Sequence, residues 1–442
     1  MIPEPARDTP VLAEVDVLVA GGGMAGIGAA VAAARGGASV LLLERLGFLG
    51  GTATAVTLGG FCGMLRVANG EMHRVIGGLW TELEERARHA DAIGTVRIHP
   101  TVRGVHGLPY DPERMKGLFD DWLAEAGVRV LTEAWVAGVA REDRRITAVF
   151  IETKAGRHAI RALNVIDATG DADLAARAGC GFALGHVGQT QHASAMFRMS
   201  PVDRAAFATI TRAEQDARME AAVQEGLPLP RTTLAIYGGL DGVSMHLNAT
   251  RVQQPDGRSF DWTDPWERAA AEREGRRQAA LYEQAARDHL PGFSGARITA
   301  IGAQLGIRES RLVEGDETLT EADVMGGVRG DTRIALTAWP VEDHAPGRST
   351  IWRPLPDGFS YGIPFGSLVA RGLDNLLVAG RCLSATHTAQ ASARVTAPCL
   401  AMGQAAGTAA AMAGNGGVRV DISTLQSRLR ADGAMLEPKG EP

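Results

Sequence analysis

The 442-residue sequence predicts an α/β fold carrying an inserted α+β unit. Three observations lead there. An apolar, β-branched run at 15–20 is followed by Gly21, Gly22 and Gly23, an alanine-rich stretch at 24–36 and a second apolar run at 39–43. Short continuous apolar runs around a helix suit the buried parallel strands of a βαβ unit. Strand-like segments then recur at 128–131, 135–141, 146–153 and 158–162, with Arg144 and Gly156 in the turns, which predicts a β-meander. Near 186–345 the chain becomes charged and helical, including PWERAAAEREGRRQAALYEQAARDHL, and glycine-bounded apolar pieces return only after Pro364.

That pattern divides the chain into a flexible N-terminus (1–14), a first core segment (15–185) with a glycine-rich and helical insertion (57–110), an inserted domain (186–350), a return segment (351–418) and a C-terminal tail (419–442). Helices are expected at 79–90, 112–126 and 396–413, and strands at 162–169 and 375–379. The tail beyond Arg430 is polar and expected to fray.

Composition narrows the function. With 45% hydrophobic and 22% charged residues the chain can bury a large core. Its 45 Lys plus Arg against 51 Asp plus Glu give a net charge of −6, which leaves no footprint for nucleic acid or an anionic membrane. Glycine is in excess, 55 residues, about 12% against an average of about 7%, as expected where backbone must approach something closely. Cys62, Cys180, Cys382 and Cys399 form no Cys-x-x-Cys pair and read as reduced thiols of a cytoplasmic protein. The first ten residues lack a signal-like apolar segment, and the run from Val15 is flanked by Glu14 and Asp16 and interrupted at Arg35, so no membrane span is expected. His186 and His192 lack ligand spacing, so no metal is expected. Neither a Gly-x-Ser-x-Gly elbow nor a P-loop lysine is present, which argues against serine hydrolases and NTPases.

Gly21-x-Gly23-x-x-Gly26 follows a strand and opens a helix, the context a dinucleotide fingerprint requires. Gly21 permits the tight turn, Gly23 lets backbone approach a pyrophosphate, and Gly26 lets helix and strand pack closely. The helix start offers free N–H groups and partial positive charge. Glu44 stands 18 residues after Gly26, at the end of the second strand, where a carboxylate can hold the ribose hydroxyls. This motif alone leaves NAD and FAD both open.

Further stretches decide between them: FLGGTAT (48–54), YDPERMK (110–116), VIDATGDADLAARAG (165–179), GIRESRLVEGDETLT (306–320) and NLLVAGRCLSATHTAQASARVTAPCLAMGQAAGTAAAMA (375–413). On these motifs, across nearly its whole length, the chain resembles the bacterial FAD-dependent oxidoreductases related to fumarate-reductase and succinate-dehydrogenase flavoproteins, with a glutathione-reductase-like fold. The resemblance implies an FAD-binding Rossmann domain with a β-meander and an inserted α+β substrate domain. It implies an extended FAD along Gly21, Gly23, Met24, Ala25 and Gly26, with Glu44 and Arg45 at the adenosine. Gly50, Gly51 and Thr52 would lie near the pyrophosphate. Ala168, Thr169, Gly170 and Asp171 would lie on the adenine side, and Gly380, Arg381, Thr396 and Ala397 on the return segment. Arg381 stands where many relatives of the wider fold carry an aspartate, so a pairing with phosphate or substrate is expected. The small residues Ala401, Gly403, Ala405, Ala406 and Gly407 are read as permitting close approach of strand and cofactor, with helix packing as part of their role. No histidine follows the Gly50-Gly51 pair, so a non-covalent FAD is expected.

FAD would carry the two-electron step, leaving the chain to bind a substrate and manage protons. The candidates are Arg308 and Arg311, with Glu309 between them, and His387, Gln390 and Arg394; His344 and Tyr361 are weaker. Arginines offer forks for an oxyanion, and a histidine near its ordinary pKa can move a proton. The expected function is hydride transfer between flavin N5 and a small polar or anionic metabolite, as a dehydrogenase or the reverse. The alternatives are an NAD(P)H-fed flavoprotein reductase, or a flavin electron-transfer subunit of a larger complex. A small-molecule substrate is the expected partner, with a homo-oligomer or an electron-accepting protein left open.

Overall fold

Val11–Ala20 is the strand around which the main sheet is built, in a computed structural model that describes residues 2, 7–99, 102–186, 188–345 and 350–438. It starts earlier than expected because Val11 and Ala13 already pair with Ala159 and Ile160. The strand runs parallel to Val40–Leu43 on one side and to Gly156–Asp167 on the other. Arg129–Leu131 extends the sheet in parallel beyond Val40–Leu43. The sequence reading placed this segment in the meander; the helix Pro112–Glu125 before it makes the crossover that a parallel neighbour needs.

Gly156–Asp167 is one 12-residue strand where the sequence suggested two. Its first half pairs antiparallel with Arg145–Thr153, which pairs with Trp135–Glu142, and that is the meander. Its second half pairs in parallel with the return strand Leu376–Val378, giving seven strands in all. Asn375 fastens the junction: its amide donates to the carbonyls of Ile146 (2.9 Å) and Leu163 (3.0 Å) and accepts from the Ile146 N–H (2.9 Å).

Two helices, Met24–Arg35 and Thr396–Ala413, cross one face of the sheet in direct contact. A Cβ on Gly403 would stand 2.0 Å from the Ala25 carbonyl oxygen, and one on Gly407 2.1 Å from that of Ala29. These glycines therefore serve backbone-to-backbone helix packing, which the sequence reading had set beside close approach to a cofactor. The helices pack into one apolar core with Leu79–His89 and Pro112–Glu125, including Trp80, Phe119 and Trp122.

The inserted unit is a four-stranded antiparallel sheet, ordered Ala235–Gly238, Met245–Asn248, Phe197–Ser200, Arg297–Ile301. The helices Arg212–Gln224 and Pro265–His289 contribute Met219, Tyr282 and Ala286 to its own core with Phe197 and Phe293. Phe182–Leu184 pairs with Arg311–Val313 in a two-stranded ladder whose Val313 packs with Cys180 and Cys382 against the main sheet. The tail does not fray at Arg430. Ile422–Ala431 is helical with Leu425 and Leu429 buried, the Gly433 carbonyl accepts from the Gly78 N–H (2.7 Å), and Leu436 is fully buried. Among the described residues no helix is long and apolar enough to cross a membrane.

The helix contact predicts opposite outcomes at two helical glycines. Gly407→Val forces a methyl group into the Ala29 carbonyl and should cost about 1–3 kcal/mol or more. Gly117→Ala, in Pro112–Glu125 with open space around it, should gain about 0.5–1 kcal/mol. Equilibrium denaturation of both variants checks this.

Candidate functional site

Val11–Ala20 ends at Gly21, whose φ of +103° and lack of a Cβ bring the turn against Ala168; a Cβ there would be 2.4 Å from the Ala168 oxygen. Gly26 closes the same turn from the helix side, its missing Cβ falling 1.7 Å from the Gly21 oxygen. Gly23 caps Met24–Arg35 without a side-chain bond, so the first N–H groups of the helix carry no cap. Glu44 is 6% exposed and tied back to this loop: one oxygen accepts from the Gly22 N–H (2.7 Å), the other from the Leu46 N–H (2.8 Å). Each oxygen keeps a lone pair for a further donor.

The loop opens onto a cavity of about 510 Å³. One group on its wall is Glu44, Arg45, Leu46, Ala134, Trp135 and Val136. A second is Gly21, Gly23, Met24, Ala25, Gly51, Thr52, Ala168, Thr169, Gly170, Gly380 and Arg381. A third is Cys62, Met196, Asn248, Arg308, Glu342, Arg394 and Thr396. Gly26, Gly50, Asp171 and Ala397 stand behind the wall. Gly50 donates its N–H to the Gly22 carbonyl (2.8 Å), and Ala397 donates to that of Cys62 (3.1 Å).

Asp167 and Asp171 shape the turn between Gly156–Asp167 and the short helix Asp173–Arg177. The fully buried Asp167 carboxylate accepts from the N–H groups of Thr169 (3.0 Å), Leu174 (2.9 Å) and Ala175 (2.8 Å). Burial opposes the charge on Asp171, yet Arg381 and Arg268 beside it and the Ser310 hydroxyl hold its carboxyl at about 2. Arg381 spends one nitrogen on Asp171 (3.0 Å), while its Nη1 is buried without a partner. Arg311 lines the cavity but is committed here, donating to the Asp171 carbonyl (2.8 Å) and to Asp173 (3.0 Å) and stacking on Phe182. It is thus separate from the cluster the sequence reading placed it in with Arg308.

That other cluster joins Arg308, Arg394, Glu342 and His344. Arg308 donates to the His192 carbonyl (2.7 Å) and the Ser194 hydroxyl (3.0 Å); burial and the nearby Arg394 lower its pKa to about 9. Arg394 donates to Gln191 Oε1 (3.3 Å) and the Glu342 carbonyl (3.1 Å), and its buried Nε has no partner. Burial opposes the Glu342 charge, but the His344 hydrogen bond and the field of Arg394 and Arg308 hold its carboxyl at about 2. A protonated His344 would add to that effect. Burial and Arg308 instead push His344 down to about 3, so the ring is neutral and the guanidiniums supply the charge. The neutral tautomer fits: Nε2–H donates to Glu342 (2.9 Å), and Nδ1 accepts from the Thr350 hydroxyl (3.1 Å).

His387 is not on the wall. Burial disfavours its charged form, but Asp343 at Nε2 (3.2 Å) and Glu309 at Nδ1 (2.8 Å) outweigh burial and push it up to about 10. A ring held as imidazolium between two carboxylates does not exchange protons near neutrality, which departs from the titrating role expected of it. It fixes Glu309, which also accepts from the Gln191 N–H (3.0 Å). Gln191 bonds Gln390 (3.0 Å), and Gln390 holds the Arg308 carbonyl (2.9 Å). Tyr361 bonds Ser392 (2.6 Å), and burial raises its phenol well above the ordinary range. Sequence reading missed Glu342 and Asn248 and the wall strand residues Trp135 and Val136. The only signal was Glu342 standing two residues before His344 in VEDHAP.

The His387 clamp predicts a pH dependence. Its folded pKa is raised, so its contribution is full below about 6.5 and is lost as pH rises through about 10. The melting-temperature gap between wild type and His387→Gln should narrow over that interval; a gap independent of pH would refute the clamp.

The family profile described as FAD dependent oxidoreductase matches residues 16–429. Among solved structures, a geranylgeranyl bacteriochlorophyll reductase-like protein from Thermoplasma acidophilum is 14% identical, with 95% of this chain and 82% of that chain covered and a TM-score of 0.48. An anhydrotetracycline hydroxylase from Streptomyces rimosus is 13% identical, with 95% and 65% covered and a TM-score of 0.48. A p-nitrophenol 4-monooxygenase from Pseudomonas putida is 13% identical, with 94% and 84% covered and a TM-score of 0.44. At this distance the likeness reaches neither substrate nor reaction. The comparison with curated proteins gave no match. The residues present fit FAD: an uncapped helix start, the wall glycines Gly21 and Gly51, whose backbone lies too close to Ala168 and Gly23 for a Cβ, and the orphaned Arg381 Nη1 on the same wall. With its profile matched from residue 16 to residue 429, the chain belongs to the FAD-dependent oxidoreductase family.

Proposed function

We propose that this enzyme transfers hydride between flavin N5 and a small polar or anionic metabolite held at Arg308 and Arg394, as a dehydrogenase or in the reverse direction. One observation carries the reading. Two guanidiniums on the third wall group, Arg308 and Arg394, with Arg231 bonded to the wall residue Asn248, bond only neutral oxygens. None of them joins an ion pair among the described residues, so an oxyanion has donors waiting. FAD, when bound, supplies the two-electron chemistry. Glu44 would then hold the ribose, the Gly23 helix start and Arg381 the pyrophosphate, and the turn at Thr396 the ring system. Arg311, through Asp171 and Asp173, is placed to keep the Ala168–Gly170 wall in position. The narrower kinship with fumarate-reductase and succinate-dehydrogenase flavoproteins belongs to this proposal and rests on the five sequence motifs.

Anaerobic titration with a panel of carboxylates, hydroxy acids and amino acids tests it. Bleaching of the visible flavin band by a member of the panel supports the reading; bleaching by NADPH alone would replace it with the reductase. Arg394→Lys should weaken the effective metabolite about 10- to 100-fold, the worth of one charged, geometrically fixed hydrogen-bond pair. Arg381→Ala and Glu44→Ala should each weaken FAD by about 10-fold or more in a fluorescence titration. Acid precipitation should release the flavin from the pellet, because its attachment is expected to be non-covalent.

A further inference from the structure

Glu342 is the acid on the cavity wall beside Arg308 and Arg394, and its relation to them is unusual. All three groups line the same space, yet neither guanidinium forms an ion pair with the Glu342 carboxylate among the described residues. Arg394 reaches the Glu342 backbone carbonyl instead (3.1 Å). Among the described residues the carboxylate itself bonds only the His344 Nε2–H (2.9 Å) and the Trp339 Nε1–H (3.3 Å). Both hold it from the protein side, through one oxygen each, and leave acceptor capacity on each oxygen. Opposite charges that line one cavity, mostly out of solvent, without pairing leave room for a ligand between them.

We propose that Glu342 accepts the substrate's proton, and that an anionic group seated on Arg308 and Arg394 releases it to do so. This rests on the anionic-substrate reading above. The groups that face Glu342 are His344, Arg308, Arg394, Arg231, Tyr237 and Cys62. His344 is neutral, and burial keeps Tyr237 and Cys62 protonated, each at about 12. Only the arginines therefore set the field at the carboxylate. While they face it unopposed, it is ionised and a poor base. A carboxylate ligand takes up their charge and adds its own repulsion, so proton affinity at Glu342 rises only when substrate is in place. The step then balances. The substrate's C–H bond gives its electron pair and hydrogen as hydride to the oxidised flavin. Its O–H or N–H bond gives a proton to a Glu342 oxygen, and a C=O or C=N bond forms. In the reverse direction Glu342 returns that proton.

Oxalate and malonate, which offer no C–H bond for such an oxidation, serve as probes with the FAD-loaded enzyme. Calorimetric titration in buffers of different ionisation enthalpy should show proton uptake on binding, growing as pH is lowered from about 7.5 to about 5.5. Glu342→Gln should bind the probes without that uptake. With any metabolite that bleaches the flavin, Glu342→Gln should slow reduction at least about 100-fold, and Glu342→Asp should recover part of it. Retained flavin absorbance shows that each variant is folded and loaded. Probe binding without proton uptake, or uptake that persists in Glu342→Gln, overturns the role of Glu342 and leaves the anion site standing. Failure of both probes to bind the wild type at tens of millimolar overturns the anionic-substrate reading itself, and this proposal with it.

Discussion

The contact on which the rest of the structure depends is the one between backbones, where Met24–Arg35 meets Thr396–Ala413 with no side chain between Gly403 and Ala25 or between Gly407 and Ala29. Helices that close place their starts, Gly23 and Val395, at one edge of the cavity. The sheet beneath adds its own constraint. Val11–Ala20, Gly156–Asp167 and Leu376–Val378 run in parallel, and their ends are locked by the Ala168 N–H on the Ala20 carbonyl (2.8 Å) and the Ala379 N–H on that of Asp167 (3.0 Å). Gly21, Ala168 and Ala379 consequently emerge side by side at the carboxyl edge of the sheet, where open α/β sheets bind ligands. Segments more than 350 residues apart in sequence become one wall because two helices can touch.

Polar satisfaction sorts the buried charges into two kinds. The His387, Glu309 and Asp343 cluster is closed, with both ring nitrogens bonded to carboxylates, and it stands off the cavity. Arg381 and Arg394 are open, each with a buried nitrogen lacking a partner, and both line the cavity. An unpaired buried donor is costly, so donors left open in a protein are left for something. A related difference separates Arg311, which pairs with the Asp173 carboxylate, from Arg308 and Arg394, which bond only neutral oxygens. All three are arginines in similar sequence surroundings, and only the third dimension tells positioning from recognition.

The Rossmann unit was legible because each of its features has a local cause: an apolar run, glycines that no other residue could replace, an alanine-rich helix and an acid at the end of the second strand. Helix boundaries at Met24, Pro112 and Thr396 were readable for the same reason. The errors fell where the cause is not local. Arg129–Leu131 has strand composition, but only pairing with Val40–Leu43 makes it part of the parallel sheet. The tail looks polar, and is held by Leu425 and Leu429 packing into the same core as residues from the other end of the chain, with Leu436 buried beyond them. His387 has the right chemistry for a proton carrier in sequence; Glu309 and Asp343, far from it along the chain, remove that capacity by pairing. Glu342 was hard to read because one acid beside another on the short strand Val341–Asp343 carries no motif, and only the fold brings it to Arg308 and Arg394.

Charge accounting at the third wall group carries the reading one step further. Among the described residues, Glu342 is the carboxylate on which Arg231, Arg308 and Arg394 bear there. In a region of lowered dielectric such a surplus of positive charge is destabilising by itself, since like charges repel more strongly than they would in water. The protein tolerates it by bonding each guanidinium to carbonyl, amide or hydroxyl oxygens, which satisfy hydrogen bonding without cancelling charge. Cancelling it with nearby aspartates would be the more stable arrangement, and would leave nothing to attract a ligand. On the reading proposed above, the surplus is binding free energy held in reserve for an anion, with Glu342 placed so that the anion's arrival changes its own readiness to take a proton.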